Sequence, residues 1–316
     1  MQVLYFFESL RTPILDLFFS LVTLMGEETV FMAVGMIVFW CVEKYQGYYL
    51  LCTGFIGTLV NQFLKMLFRI PRPWIKDPSF TIVESAREAA TGYSFPSGHT
   101  QSSVGLFGGI ARWNRNPILR IVMVLLCVLI PLSRLYLGVH TLLDVSVSIG
   151  IALLLIFVGA PLFRRAEHSP RLMFRILGVM TALVAAYVLY VCLYPFPAEV
   201  YSADAIHNLE SARKNGFTLL GCMLAFLIVY PVDLKYIRFD TRAVWWAQLL
   251  KAVGGILLVL AAKELLRYPL DAIFGEELIL LSRCVRYFLM VLLGGIVWPL
   301  TFPFFARLGK NKKTEN

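Results

Sequence analysis

Lys65-Met-Leu-Phe-Arg69-Ile-Pro71-Arg72-Pro73, Phe95-Pro96-Ser97-Gly98-His99, and Ser133-Arg134 followed by His140 and Asp144 are three short polar segments in an otherwise apolar chain. Lys65, Arg69 and Arg72 stand at i, i+4 and i+7, so the spacing predicts one helical face. Pro71 and Pro73 stop that helix, because a residue before proline avoids helical angles. The cations are therefore expected at a helix end. Pro96-Ser97-Gly98 precedes an apolar run and predicts a helix N-terminus. Free N–H groups and a positive dipole there favour an anion, and Gly98 lets backbone approach it closely. His140 and Asp144 read as an i, i+4 pair on the next helix, where the carboxylate fixes the imidazole tautomer. Singly, such features are commonplace: a basic anchor, a loop, a surface ion pair. Together they assemble cations, a hydroxyl, two histidines and a carboxylate, an inventory suited to phosphoryl transfer without a metal.

Working outward, the 316 residues are 59% hydrophobic and 16% charged, with a mean hydropathy of +0.72. This is the composition of a polytopic membrane protein in one all-α helical bundle. A net charge of +9 raises the possibility of nucleic acid, but the charges sit in short loops, as anchors do, and no nucleic-acid partner is expected. The six cysteines, at 41, 52, 127, 192, 222 and 284, lie in apolar runs without metal-ligand spacing. They are expected to be free thiols, and neither metal nor cofactor is expected. No cleavable signal peptide, glycosylation sequon or lipidation motif is evident.

The three segments resemble the three-part signature of the type-2 phosphatidic acid phosphatase superfamily. Six residues separate Lys65 from Arg72-Pro73, five separate Arg134 from His140, and three separate His140 from Asp144. No motif position departs, and the resemblance covers roughly the first 165 residues. It implies that His140 attacks phosphorus to form a phosphohistidine, that Asp144 orients it, and that His99 protonates the leaving oxygen and later activates water. It also implies that Lys65, Arg72, Ser97, the Gly98 amide and Arg134 hold the phosphoryl oxygens. Arg69 lies outside the motif, as a headgroup contact or a helix-end anchor.

Nine spans are expected, at about 29–43, 47–68, 99–112, 118–137, 141–162, 172–194, 216–233, 244–266 and 280–305. The stretch from Ile14 to Met25 is short for a span and reads as an interfacial helix. The inner loops would hold Lys44, Arg112, Arg115, Arg120, Arg164, Arg165, Arg171, Arg175, Lys235, Arg238, Arg242, Arg307, Lys310, Lys312 and Lys313, which is 15 of the 29 cations. The outer loops would hold Glu84, Glu88, Glu199, Asp204, Glu210, Asp271, Glu276 and Glu277. Positive-inside asymmetry then puts all three motifs on the outer face. Tyr194, Trp245 and Trp246 read as interfacial aromatics. Residues 74–95 form either a lid or an ordinary connection. His207 and His168 read as surface residues. Residues 1–165 would be the catalytic core. Residues 166–316 would add helices packed through Gly216, Gly221, Gly254, Gly255, Gly294 and Gly295, ending in a basic tail that anchors to anionic lipid.

The expected function is hydrolysis of a lipid phosphate or pyrophosphate at the outer face of a membrane, with membrane lipids as surroundings. Two histidines in different protonation roles predict a pH optimum bounded by two ionisations. Lys312-Lys313 stands one position off a di-lysine retrieval signal, which favours a bacterial inner membrane facing the periplasm or exterior over the endoplasmic reticulum. One alternative is a glucose-6-phosphatase-like hydrolase of a soluble ester, whose topology the nine spans resemble. Another is a non-catalytic transporter or scaffold, against which the intact motifs argue. The oligomeric state is left open.

Overall fold

A computed structural model describes residues 1–88, 90–193 and 203–308, without the side chains of 203 and 204. The expectations placed on Tyr194, Glu199, the side chain of Asp204, Lys310, Lys312 and Lys313 lie outside the described residues. Every regular element among them is helical. In order they are α1 (Gln2–Ser9), α2 (Pro13–Leu24), α3 (Glu28–Ile37), α4 (Lys44–Phe68), α5 (Pro73–Lys76), α6 (Gly98–Ser103), α7 (Gly109–Trp113), α8 (Pro117–Tyr136), α9 (Leu142–Glu167), α10 (Pro170–Leu193), α11 (Ala203–Val232), α12 (Trp245–Leu265), α13 (Arg267–Phe274), α14 (Ile279–Leu292) and α15 (Phe302–Arg307). Local chemistry explains the starts of α2 and α8. Thr12 caps α2 by accepting from the Leu15 N–H, and Asn116 caps α8 by accepting from Ile118 and Leu119. Each cap is followed by proline at the first helical position, where its missing N–H costs nothing.

Six helical segments are long and apolar enough to cross a membrane: Lys44–Lys76, Pro117–Tyr136, Leu142–Glu167, Pro170–Leu193, Ala205–Ile237 and Ile279–Arg307. The pair Pro13–Leu24 and Glu28–Val42, bent by 48°, makes a seventh if it is one span. The chain is thus a helical membrane bundle, and among the described residues six or seven segments meet this length and apolarity, so the nine expected spans are not confirmed. The stretch expected as a span at 99–112 is a short helical run with a π turn inside it. A π turn, Val104–Gly108, separates α6 from α7.

The described chain forms two compact units. The first comprises residues 1–34, 49–165 and 194–212. Within it α8 is the hub, with α1, α2, α6 and α7 packed on it. Lipid tails are as apolar as leucine, so close packing and hydrogen bonding hold such helices together more than exclusion of water does. Gly54 illustrates this: a Cβ there would stand 1.8 Å from the Phe31 ring, so the bare backbone of α4 makes the seat for that ring. The connection 74–95 is fastened rather than loose. Tyr5 donates to Asp77 at 2.8 Å and Arg11 donates to the Thr81 carbonyl at 2.9 Å. Phe80 and Ile82 are buried with Leu4, Leu135 and Val145.

The second unit comprises residues 35–48, 166–193 and 213–316. Its expected glycine contacts occur. A Cβ on Gly221 would meet the Cys284 carbonyl at 2.2 Å, one on Gly255 would meet Trp298 and Trp40, and one on Gly295 would meet Val229. Lys44 pairs with the buried Asp233 at 2.7 Å and lies over the Phe239 ring. All six cysteines are free thiols.

Candidate active site

All eight residues singled out in the three motifs fall within the first unit. α4 delivers Lys65 in its last turn and ends at Phe68. Arg69 is in the left-handed region, at φ 50°, and its side chain donates to the Met66 carbonyl at 3.0 Å. The expectation that Lys65, Arg69 and Arg72 share one helical face is therefore corrected. The helix stops one residue before Arg69, which closes its end, and Arg72 belongs to the next segment as the residue preceding α5.

That displacement lets Arg72 turn inward. The buried guanidinium donates from Nε to the Gly92 carbonyl at 3.0 Å and from Nη2 to the Thr91 carbonyl at 2.6 Å. Its Nη1 faces the Val139 carbonyl at 2.9 Å and His140 Nε2 at 3.0 Å. The connection 74–95 thus forms a wall of the site through its carbonyl groups.

Ser97 caps α6, its hydroxyl accepting from the Thr100 N–H at 3.4 Å. The expected helix N-terminus is present, opened by Gly98 and His99. These two and Lys65 are half-buried, whereas Ser97, Arg72, Arg134, His140 and Asp144 are buried. Three of the expected anion binders and the His–Asp pair lie deepest, while Lys65, Gly98 and His99 are more exposed.

His140 is not on the helix of Asp144, a second correction. α9 starts at Leu142, so His140 lies in the preceding connection while Asp144 occupies the first turn. Asp144 Oδ2 accepts from the Thr141 N–H at 2.8 Å, capping α9, and from Ser94 Oγ at 2.6 Å. The same oxygen stands 3.5 Å from His140 Nδ1. A guanidinium can only donate, so the Nε2 lone pair accepts from Arg72 and the ring proton falls to Nδ1, on the side of Asp144. His140 lies between two apolar helices. Its burial first, then the charges of Arg72, Arg134 and Lys65, hold it well below the usual imidazole range, so the ring is neutral near pH 7.

Several positions escape sequence reasoning. Ser94 steadies Asp144. Ser148 donates to the carbonyls of Ser97 and Asp144, each at 2.9 Å, tying the second motif to the third. Asn61, on α4, donates to the Pro96 carbonyl at 3.3 Å. None lies inside a motif, and a lone serine or asparagine in an apolar run carries no signal of its partner. His207 and His168 are exposed.

Comparison with known proteins matches two stretches of the chain to related family models. Residues 45–167 match the family model described as PAP2 superfamily, and residues 217–312 match that of PAP2 superfamily phosphatase, transmembrane extension. Among curated proteins, the chain is 29% identical over 106 residues to undecaprenyl-diphosphatase BcrC of Bacillus subtilis (strain 168), covering 34% of this chain and 52% of that protein. The chain thus spans about half the length of the curated relative it matches. No solved structure matches.

Proposed function

Since the chain belongs to the PAP2 superfamily and is a membrane phosphatase of that family, we propose that it hydrolyses a lipid phosphate or pyrophosphate through a phosphohistidine. The observation that carries this reading is the line Arg72 Nη1, His140 Nε2, His140 Nδ1, Asp144 Oδ2. It presents a neutral imidazole lone pair in a cluster of cations. As the phosphoryl group enters, Arg72 Nη1 transfers its contact from Nε2 to a phosphoryl oxygen. Nε2 then forms the bond to phosphorus while the bond to the leaving oxygen breaks. Burial and the charges of Arg134, Lys65 and Arg72 push the His99 pKa down to about 3; the entering phosphate anion offsets those charges, and His99, protonated as the substrate binds, gives the leaving oxygen its proton. Asp144 supports the imidazolium character that develops on His140. In the second half, water attacks phosphorus, its proton passes to His99, and His140 leaves as the neutral ring. Lys65, Arg72, Arg134, Ser97 and the Gly98 N–H carry the charge that spreads over the equatorial oxygens.

Residues 1–165 supply this catalytic core. Membrane embedding suits a substrate whose acyl or polyprenyl tail stays in lipid while its phosphate enters the site. The named activity of the Bacillus relative favours the polyprenyl diphosphate type, with phosphatidic acid and phosphatidylglycerol phosphate as the other lipid candidates. The positive-inside asymmetry supports a site facing outward, and the Bacillus relative supports a bacterial inner membrane. The sugar-phosphate alternative leaned on nine spans, which are not confirmed among the described residues.

The test is phosphate release by purified protein in detergent with EDTA present, wild type beside His140→Ala. The substrates are undecaprenyl pyrophosphate, phosphatidic acid, phosphatidylglycerol phosphate and glucose-6-phosphate. Release from a lipid, lost in the variant, is expected. Release from glucose-6-phosphate alone would replace the lipid reading, and strong inhibition by EDTA would replace the metal-independent one.

A further inference from the structure

α2 lies outside both matched regions, yet one of its faces is fastened to the helix that carries Arg134. Asp16 accepts from the Tyr136 hydroxyl at 2.7 Å. Phe19 stacks on the Tyr136 ring with centroids 4.3 Å apart. Thr23 Oγ1 accepts from Arg134 Nη1 at 2.7 Å. Asp16, Phe19 and Thr23 stand at i, i+3 and i+7, a single helical stripe. Immediately after α2, a Cβ on Gly26 would stand 2.8 Å from Ile130 and 3.3 Å from the Cβ of His99. The bend after α2 is thus pressed against both α8 and the residue that opens the site.

The two buried guanidiniums of the site are held differently. Arg72 has three backbone carbonyls and the His140 ring on its nitrogens. Arg134 is 1% exposed, its Nε has no partner, and among the described residues no carboxylate pairs with it. A buried guanidinium calls for an anion, and most of the five N–H donors of Arg134 are uncommitted. Its neighbour Thr23 is neutral, so the hydroxyl restrains the fork without cancelling its charge. A carboxylate there would restrain it as well but would compete with the substrate.

We propose that Thr23 is a positioning residue for oxyanion binding, aiming Arg134 at the phosphoryl group while leaving its charge for the substrate. This rests on the phosphatase reading above. It makes the α2 face part of the functional site, and it accounts for a small residue at position 26, where the chain turns past His99.

The test measures orthovanadate affinity by calorimetry on the full chain in detergent, in wild type, Thr23→Ser, Thr23→Val and Thr23→Asp. Turnover of the preferred lipid and melting without vanadate are measured alongside. Thr23→Ser keeps the acceptor and is expected within about threefold of wild type. Thr23→Val removes one hydrogen bond to a charged group, so vanadate binding and kcat/KM should fall roughly 10- to 100-fold. Thr23→Asp should bind vanadate more weakly still, because its carboxylate neutralises Arg134. Wild-type affinity in Thr23→Val, or a lower melting temperature with unchanged affinity, would overturn the role and leave the phosphatase reading intact. Failure of wild type both to bind vanadate and to turn over any lipid would overturn the phosphatase reading and this role with it.

Discussion

His140 is poised by what surrounds it on two sides: a donor that can only donate faces Nε2, and a carboxylate that can only accept faces Nδ1. Asp144→Asn keeps the shape but offers an amide where the ring needs an acceptor, and a loss of about 10–100-fold in kcat is expected from an orienting partner. Steady-state kinetics on folded variant would check it, and an unchanged kcat would remove Asp144 from the mechanism. Arg134→Lys should also be damaging, since an ammonium cannot reproduce the planar fork. The pH dependence has a definite sign. Protonation consumes the Nε2 lone pair, and the depressed pKa of His140 keeps the ring neutral as pH falls through the ordinary value of about 6.5. The acid limb due to the nucleophile should therefore lie below that value. NMR titration of labelled histidine in a His99→Ala variant would check this, and a His140 transition at or above about 6.5 would contradict it.

Between residue and bundle, the site depends on where helices stop. α4 ends before Arg69, and this lets Arg72 leave the helical path and turn onto Thr91, Gly92 and Val139. α9 begins after His140, and Asp144 serves at once as its cap and as the partner of the imidazole. Between α8 and α9 the chain turns at Gly138, with φ +80°. A Cβ there would stand 2.7 Å from Arg11 Nη2 and 2.9 Å from the Phe80 ring. The left-handed backbone alone costs a side chain about 1–2 kcal/mol. Gly138→Ala should therefore lower the melting temperature in detergent, and because this turn carries His140, activity should fall as well. A variant as stable and active as wild type would mean that the turn relaxes freely.

Over the whole molecule, orientation decides which compartment supplies the substrate phosphate. In intact cells, cysteine at position 88 should react with a membrane-impermeant maleimide, while cysteine at position 165 should react only after permeabilisation. The reverse pattern would put the site on the inner face. The sequence by itself determined a helical membrane chain, because apolar composition and short basic loops suffice for that. Through the resemblance of its three polar segments to a known signature, it also pointed to the residues proposed for the site. Tertiary structure decided the rest. With α4 stopped ahead of Pro71, it chose the path of Arg72 through the carbonyls of Thr91, Gly92 and Val139, and it set His140 ahead of α9, whose first turn Asp144 closes on the Thr141 N–H. It brought Ser94, Asn61, Ser148 and Thr23 to the motifs, Asn61 and Thr23 from 35 and 111 residues away in sequence. It also put a π turn, Val104–Gly108, inside the helical run expected at 99–112 and packed that run on α8. Such partners are chosen by proximity in the folded bundle, and no periodicity along the chain encodes them.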